Sequence, residues 1–245
     1  MVTPLYSIRF VAVVRPTWLS LVSIQALLIA AAVAGATPVT VPPDLNPGDQ
    51  YRLAFVTSRS QFDAVPLGMS IYNGRITAVA IAVPELAELS TYWRIIGSTS
   101  PSPSNINPIN ARDNTGTNPT VEVGVPIYLL NGSKLAFDNL DLWNGSIAVP
   151  LNIDEQGRPV GGDVLVWTGT ASNGVVQKRL GGTYPTTGST TATNGTWIGG
   201  ETNAFSTPGR YFGMSGVLTV IPEPSTALLL TLGLVGMAAK WKHLN

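Results

Sequence analysis

The 245-residue chain has no cysteine and one histidine, His243. A chain without thiols has no disulfide framework, no cysteine nucleophile and no thiolate metal site. With its imidazole close to the last residue, the body of the chain also lacks a Ser-His-Asp triad, a Cys-His dyad and a His-ligated zinc site. Charge is scarce. Asp, Glu, Lys and Arg make up 11% of the residues, with 14 of each sign. Between Thr37 and Ile221 there are 10 basic and 13 acidic residues, so this part is mildly acidic. No basic patch stands out, and nucleic acid is not an expected partner. There is no internal repeat. What the chain does have is glycine (25), proline (19) and an apolar run at each end.

At the C-terminal end, Pro222-Glu223-Pro224-Ser225-Thr226 precedes an apolar run from Ala227 to Ala239, then Lys240-Trp241-Lys242-His243. Pro222 and Pro224 lack an amide donor and bias their neighbours toward extended backbone, the form a protease or transpeptidase cleft binds. Ser225 or Thr226 is a helix N-cap candidate. The run behind it contains Gly233 and Gly236, tolerated in membrane helices and costly in soluble ones. As a helix it is about 20 Å long, short of the roughly 30 Å hydrocarbon core. Snorkelling by Lys240 and Lys242 and an interfacial Trp241 make a short span tolerable. The alternative is a buried C-terminal helix of the folded domain.

This tail, residues 221–245, resembles the PEP-CTERM sorting signal of bacteria that make extracellular polysaccharide. The resemblance rests on Pro222-Glu223-Pro224, the Leu/Gly-rich run and the basic end. It implies an exosortase as processing partner, acting at the Pro-Glu-Pro motif, and a membrane-held precursor. Where the family usually ends in an arginine cluster, this chain has two lysines and a histidine around a tryptophan.

At the N-terminal end, Arg9 and Arg15 precede an apolar run from Trp18 to Val33, then Ala34-Gly35-Ala36. A basic region, an apolar region and a small-x-small site predict a signal peptide over residues 1–36, cleaved after Ala36. An uncleaved membrane anchor is the alternative. Residues 37–46, rich in Pro and Thr, read as a linker.

Residues 47–220 read as one α+β domain of short antiparallel strands, one or two helices and long loops. Tyr51–Thr57 alternates as a strand does, and Ser70–Val83 has helical spacing. Pro84–Leu89 starts a second helical piece with proline in its first turn. Tyr92–Gly97 is a predicted strand, and Ser98–Thr120, rich in Pro, Ser and Asn, a long surface loop. Asn131-Gly132 between two apolar runs predicts a hairpin. Asp138–Gly145 predicts a short helical turn, and Val164–Thr170 a buried strand. Gly181–Gly195 has no periodicity and reads as flexible. Arg210–Val220 predicts the closing strand.

The order of Phe55-Val56-Thr57-Ser58, a helix, Trp93, the Ile127–Gly132 turn, Asp138–Gly145, Pro150-Leu151-Asn152, Val166–Thr170 and an isolated Trp197 is similar to that of bacterial exported domains with a C-type-lectin-like, endostatin-related fold. Such domains often carry cysteine pairs. Here the fold would rest on its core, with Trp93, Trp143, Trp167 and Trp197 as large contributors. The calcium-dependent sugar motifs of C-type lectins are missing, so that activity is not implied.

Asn152, Asp154, Gln156, Gly157 and Asp163 fall at positions 1, 3, 5, 6 and 12 of a calcium-loop spacing, with oxygen ligands at alternate positions. Pro159 and Gly161-Gly162 interrupt it and no flanking helices are evident, so a polar turn before a strand competes with a calcium site. Asp138, Asp141 and Asn144 form a second oxygen-rich cluster, with helix capping as its plainer role. Asn131-Gly132-Ser133, Asn144-Gly145-Ser146 and Asn194-Gly195-Thr196 match the glycosylation pattern and read as turns.

These observations point to an exported, non-enzymatic cell-surface or exopolysaccharide-matrix protein, sorted through its tail, with a binding or structural domain. The rivals are a carboxylate-based hydrolase of surface glycans and a protein held permanently in the inner membrane. A hydrolase requires a deep cleft with two facing carboxylates, a binding module a shallow loop-lined surface.

Overall fold

The architecture is that of a computed structural model, which describes residues 36–60, 64, 68–99 and 108–221. The fold is α+β. A mixed six-stranded sheet carries the core, a two-stranded hairpin stands beside it, and the helices are few and short. Among the described residues no helix is long and apolar enough to cross a membrane. Ala34, Pro222, Glu223, Pro224, Lys240 and Lys242 lie outside the described residues, as do the expected signal and membrane helices.

Strand β1 (Gln50–Val56) is the axis of the sheet. It pairs with β3 (Ile127–Leu129) on one side and with β7 (Phe212–Ser215) and β8 (Leu218–Thr219) on the other. β2 (Trp93–Ile95) and β4 (Lys134–Ala136) close the edges, giving the order β2-β7-β1-β3-β4. The sheet is therefore not the purely antiparallel one expected. β1 and β3 run parallel, with Arg52 opposite Ile127 and Ala54 opposite Leu129. A parallel neighbour needs a long crossover, and residues 57–126 supply it. They carry α1 (Met69–Ile81), α2 (Pro84–Ala87) and α3 (Ala111–Thr115).

Because β1 is central, both its faces are covered. Tyr51 to Val56 are all buried, and the expected alternation of an exposed face does not hold. Arg52 shows the consequence. Only 3% exposed, it turns its guanidinium onto backbone carbonyls, donating to Thr115 O and Ser215 O at 3.0 Å each and to Gly116 O at 3.0 Å. A cation at the C-terminal end of α3 satisfies orphan carbonyls there. That helix lies inside the stretch expected to be a loop.

The core packs around Phe55 and Trp93, edge to face at 5.4 Å, and around Trp197, which sits 5.9 Å from Trp143 and from Phe212. The four tryptophans expected in the core are all buried. The Asn131-Gly132 hairpin forms as expected between β3 and β4. Gly132 has φ +84, a value that favours glycine, and its amide closes the turn on Leu129 O at 2.9 Å. Asp138 caps α4 (Asn139–Leu142) by accepting from the Asp141 amide at 2.7 Å.

Two stretches differ from their sequence reading. Residues 37–46, expected as a linker, lie along the domain. The Val39 amide donates to Leu130 O at 2.6 Å and the Tyr51 hydroxyl to Thr40 O at 2.6 Å. The Gly/Thr tract from 181 to 195, expected to be flexible, contains β6 (Thr187–Ser189). This strand pairs with β5 (Leu165–Trp167), and Thr186, Thr187 and Thr190 within the tract are buried. Gly188 is required there by close approach, since a Cβ would collide with the Trp197 carbonyl.

Candidate functional site

The C-terminal end of β1 opens into a cleft of about 410 Å³. Past Val56 the backbone is fixed from several directions. Thr57 Oγ1 accepts from the Tyr211 amide at 3.0 Å, and Thr57 O accepts from Arg210 Nη1 at 3.1 Å. The Val56 amide donates to Ile153 O at 2.9 Å, which draws the 153–158 turn alongside. These contacts bring Ser58 against Glu155, 97 residues away in sequence. The Ser58 amide donates to Glu155 Oε2 at 2.7 Å, and the Ser58 hydroxyl donates to Oε1 of the same carboxylate. Glu155 is only 6% exposed, so this pairing satisfies a buried charge that would otherwise be costly.

The other lining is Ala78 and Val79 of α1 and Ala82 at its C-cap, with Arg75 one turn earlier in the helix. Arg75 Nη1 donates to the Tyr211 hydroxyl at 3.0 Å, and Tyr211 meets Tyr72 edge to face at 5.7 Å. Burial pushes the Tyr72 phenol far above its ordinary range, with neighbouring Tyr211 adding to the shift. It stays neutral at every physiological pH. The cleft thus offers one apolar wall and one hydrogen-bonding wall. Among the described residues that line it, Glu155 is the only carboxylate, and Ser58 engages both its oxygens. Among the described lining residues there is thus no facing pair of carboxylates of the kind used in glycoside hydrolysis.

The calcium-loop residues fall apart in space. Asp154 turns into its own turn. Its Oδ1 accepts from the Gln156 and Arg158 amides at 2.9 Å each, and its Oδ2 from Arg158 Nη2 at 3.0 Å. Gln156 lines the cleft beside Ser58, whereas Asp163 lines a different depression and accepts from Ser189 Oγ at 2.8 Å and the Thr190 amide at 3.1 Å. Asn152 is part of the same turn, its carbonyl accepting from the Val160 amide at 2.7 Å. The alternating oxygens thus build a polar turn, and among the described residues no group of three or more His, Cys, Asp or Glu is placed to hold a metal. The Asp138, Asp141, Asn144 cluster is a capping chain. Asp141 Oδ2 accepts from the Phe137 amide at 2.9 Å, and its Oδ1 from Asn144 Nδ2 at 3.0 Å. Trp143 packs in the core and donates from Nε1 to Thr117 O at 3.0 Å.

The three Asn-Gly-Ser/Thr sequences share one geometry. In each, the asparagine side-chain oxygen accepts from the amide two residues on, at 3.0 Å in Asn131, 2.9 Å in Asn144 and 3.1 Å in Asn194. Asn131 and Asn144 lie in turns, as their sequence suggests, whereas Asn194 caps a short 3-10 helix, Gly195–Trp197. Of the processing residues, Ala36 is described and exposed.

A second depression, about 570 Å³ and open to solvent, runs along the β5–β6 hairpin. Asp163, Thr187, Ser189, Thr196, Glu201 and Asn203 give it a hydroxyl-, amide- and carboxylate-rich lining. Thr187, Gly188 and Ser189 of its lining fall within the tract read as flexible, and the recurrent threonines there were the available signal. The Ser58–Glu155 pair carried no local signal, because its two halves meet through a long-range parallel contact between residues 56 and 154. Compared with known proteins, the chain matches no protein-family model, no curated protein and no solved structure.

Proposed function

We propose that this chain is an exported, non-catalytic protein of the cell surface or exopolysaccharide matrix, held first in the membrane and then released through a PEP-CTERM tail. The observation that carries the reading is the ordered tail sequence: Pro222-Glu223-Pro224, the apolar run from Ala227 to Ala239, and Lys240 and Lys242. A signal peptide ending at Ala36 is the matching entry signal. An exosortase is the processing partner, and the polysaccharide matrix is the destination.

The domain between these signals acts as a binding or structural module with a C-type-lectin-like, endostatin-related fold. In support of the finer fold reading, short strands and few helices carry long irregular segments, and those segments line open polar depressions on a rigid sheet. The hydrolase reading gains nothing from the Ser58 cleft, where the one carboxylate among the described lining residues is tied to a serine.

The test is the intact mass of the protein recovered from its own cells, with membrane and extracellular fractions measured separately. The expected extracellular species begins at Thr37 and has lost the residues after about Pro224. A chain with its full C-terminus, found in the membrane fraction alone, would overturn sorting and leave a permanently tethered domain.

A further inference from the structure

One surface groove departs from the acidic balance of the domain. It has a volume of about 510 Å³ and is lined by Gln177, Lys178, Arg179, Thr183 and Tyr184, with Pro108 at its edge. No described lining residue is acidic. Lys178 and Arg179 are exposed, and neither takes part in an ion pair among the described residues. Tyr184 is 60% exposed, a large aromatic ring left in water beside two cations.

The backbone beneath these side chains is firmly held. Leu180, fully buried, donates its amide to Ser98 O at 2.9 Å, and the Thr186 amide donates to Lys178 O at 2.8 Å. The Lys178 amide donates to Thr186 Oγ1 at 3.2 Å, and the Phe205 amide to Thr183 O at 3.2 Å. The side chains at 177–179 thus point outward from an anchored strip, a preorganised arrangement that lowers the ordering cost of binding.

The position of the groove adds to the case. β8 pairs with the start of β1, Thr219 opposite Gln50, so the chain reaches Ile221 at that end of the sheet. β2 runs past the level of Phe55, where Ile95 and Phe55 both face Gly213, and continues to Ser98, which holds Leu180. The groove therefore lies beyond the opposite end of β1, away from Ile221.

We propose that this groove binds an acidic polysaccharide, one bearing uronate carboxylates, which extends the reading of the domain as a binding module and depends on it. Arg179 offers a planar fork of donors that matches a carboxylate, and Lys178 supplies a second cation one residue away. Tyr184 offers a flat apolar face with a polar tip, suited to lie under a sugar ring. Gln177 and Thr183 supply neutral hydrogen bonds to hydroxyl groups. Two cations on a domain with an excess of acids do not neutralise the run of phosphates that nucleic acid presents.

The experiment uses the full chain in nanodiscs and measures binding to polygalacturonate, to neutral dextran, to poly-glutamate and to single-stranded DNA. Polygalacturonate is expected to bind and the other three to bind at least about tenfold more weakly. Lys178→Ala with Arg179→Ala, and separately Tyr184→Ala, should each weaken polygalacturonate binding by about tenfold or more. Arg59→Ala, an exposed cation elsewhere, should leave it unchanged. Near-ultraviolet circular dichroism checks that each variant keeps its packing. Equal binding of poly-glutamate or DNA, or loss of all binding in moderate salt with no effect of Tyr184→Ala, would reduce the groove to general charge attraction and overturn the proposal. Tight polygalacturonate binding that survives the groove variants overturns the site but leaves the binding-module reading standing. No binding of polygalacturonate by a chain that is nonetheless processed and exported overturns the ligand and keeps the sorting reading.

Discussion

The sheet around β1 and the loop half from Asp163 to Phe205 are held together by different physics. In the sheet, Leu53, Phe55, Trp93, Tyr128 and Phe212 are buried almost completely and the backbone pairs with itself. In the loop half, Trp167, Leu180, Trp197 and Ile198 are buried as well, but buried threonines stand among them at 168, 170, 186, 187 and 190. There the hydroxyls do the joining. Thr168 Oγ1 is within bonding distance of Ile198 O at 2.6 Å and Thr186 O at 3.2 Å, and Thr190 Oγ1 donates to Gly162 O at 3.2 Å. Thr170 Oγ1 donates to Thr168 O at 2.7 Å. A cysteine-free domain thus has a second way to order long loops. Short β-branched side chains carry hydrogen bonds inward, and glycines let backbones touch.

The sharpest test of this contrast is a pair of truncations. Phe55→Ala removes a fully buried ring against Trp93, and such deletions cost about 3–5 kcal/mol. Denaturant unfolding should show a large fall in midpoint and a loss of the whole near-ultraviolet signal in one transition. Thr168→Val keeps the shape and removes the hydroxyl from two buried carbonyls, which should cost about 1–3 kcal/mol. Its effect should be concentrated in hydrogen exchange at the 186–198 amides. If Thr168→Val cost as much as Phe55→Ala, or Thr168→Val were silent, the division of labour between the halves would be wrong.

The smallest effect belongs to the residues that hold 37–46 to the sheet. Asp44 accepts from Lys134 at 3.0 Å and from the Tyr128 hydroxyl at 3.0 Å. The Lys134 hydrogen bond holds the Asp44 carboxyl below its ordinary range, and Tyr128 together with Asp44 raises Lys134 above its own. The Asp44 contribution is therefore present above the ordinary carboxylate pKa and lost as pH falls through the lowered value. The Lys134 contribution is present below the ordinary lysine pKa and lost as pH rises through the raised one. The Val39 amide, bonded to Leu130, reports the docking. Its protection factor should fall in strong acid in the wild type and be low and pH-independent across the acid range in Asp44→Asn. Equal acid sensitivity in both would show that the segment is held by its backbone bonds alone.

How much of this was legible in the sequence follows from the range of each interaction. The Asn131-Gly132 turn, α1, the Asp138 cap and the closing strands are local, and their residues announce them. Arg52 is not legible, because nothing within β1 says that both its faces will be covered. The threonine tract misleads for a related reason. Low periodicity signals disorder only when no distant carbonyls await the hydroxyls, and Thr186 meets Thr168 through a contact 18 residues long. The calcium-loop spacing leaves a polar turn and a calcium site both open, and Asp154 spends its oxygens on its own turn and on Arg158. Of the sites, the Ser58–Glu155 pair needs tertiary structure to be seen, and Lys178-Arg179 stands in the sequence as an unremarked dipeptide.

The pairing of β8 with the start of β1 also has a mechanical meaning. The Gly48 amide donates to Val220 O at 2.8 Å and the Val220 amide to Asp49 O at 2.9 Å, just before the chain leaves at Ile221. β7 continues the same antiparallel partnership along the upper part of β1. Tension applied between Ile221 and the loop end of the domain runs along these strands rather than across them. It loads the β1–β7–β8 bonds in shear, together, instead of peeling them one at a time. A domain tethered at Ile221 and pulled from its far end would resist as a lap joint does.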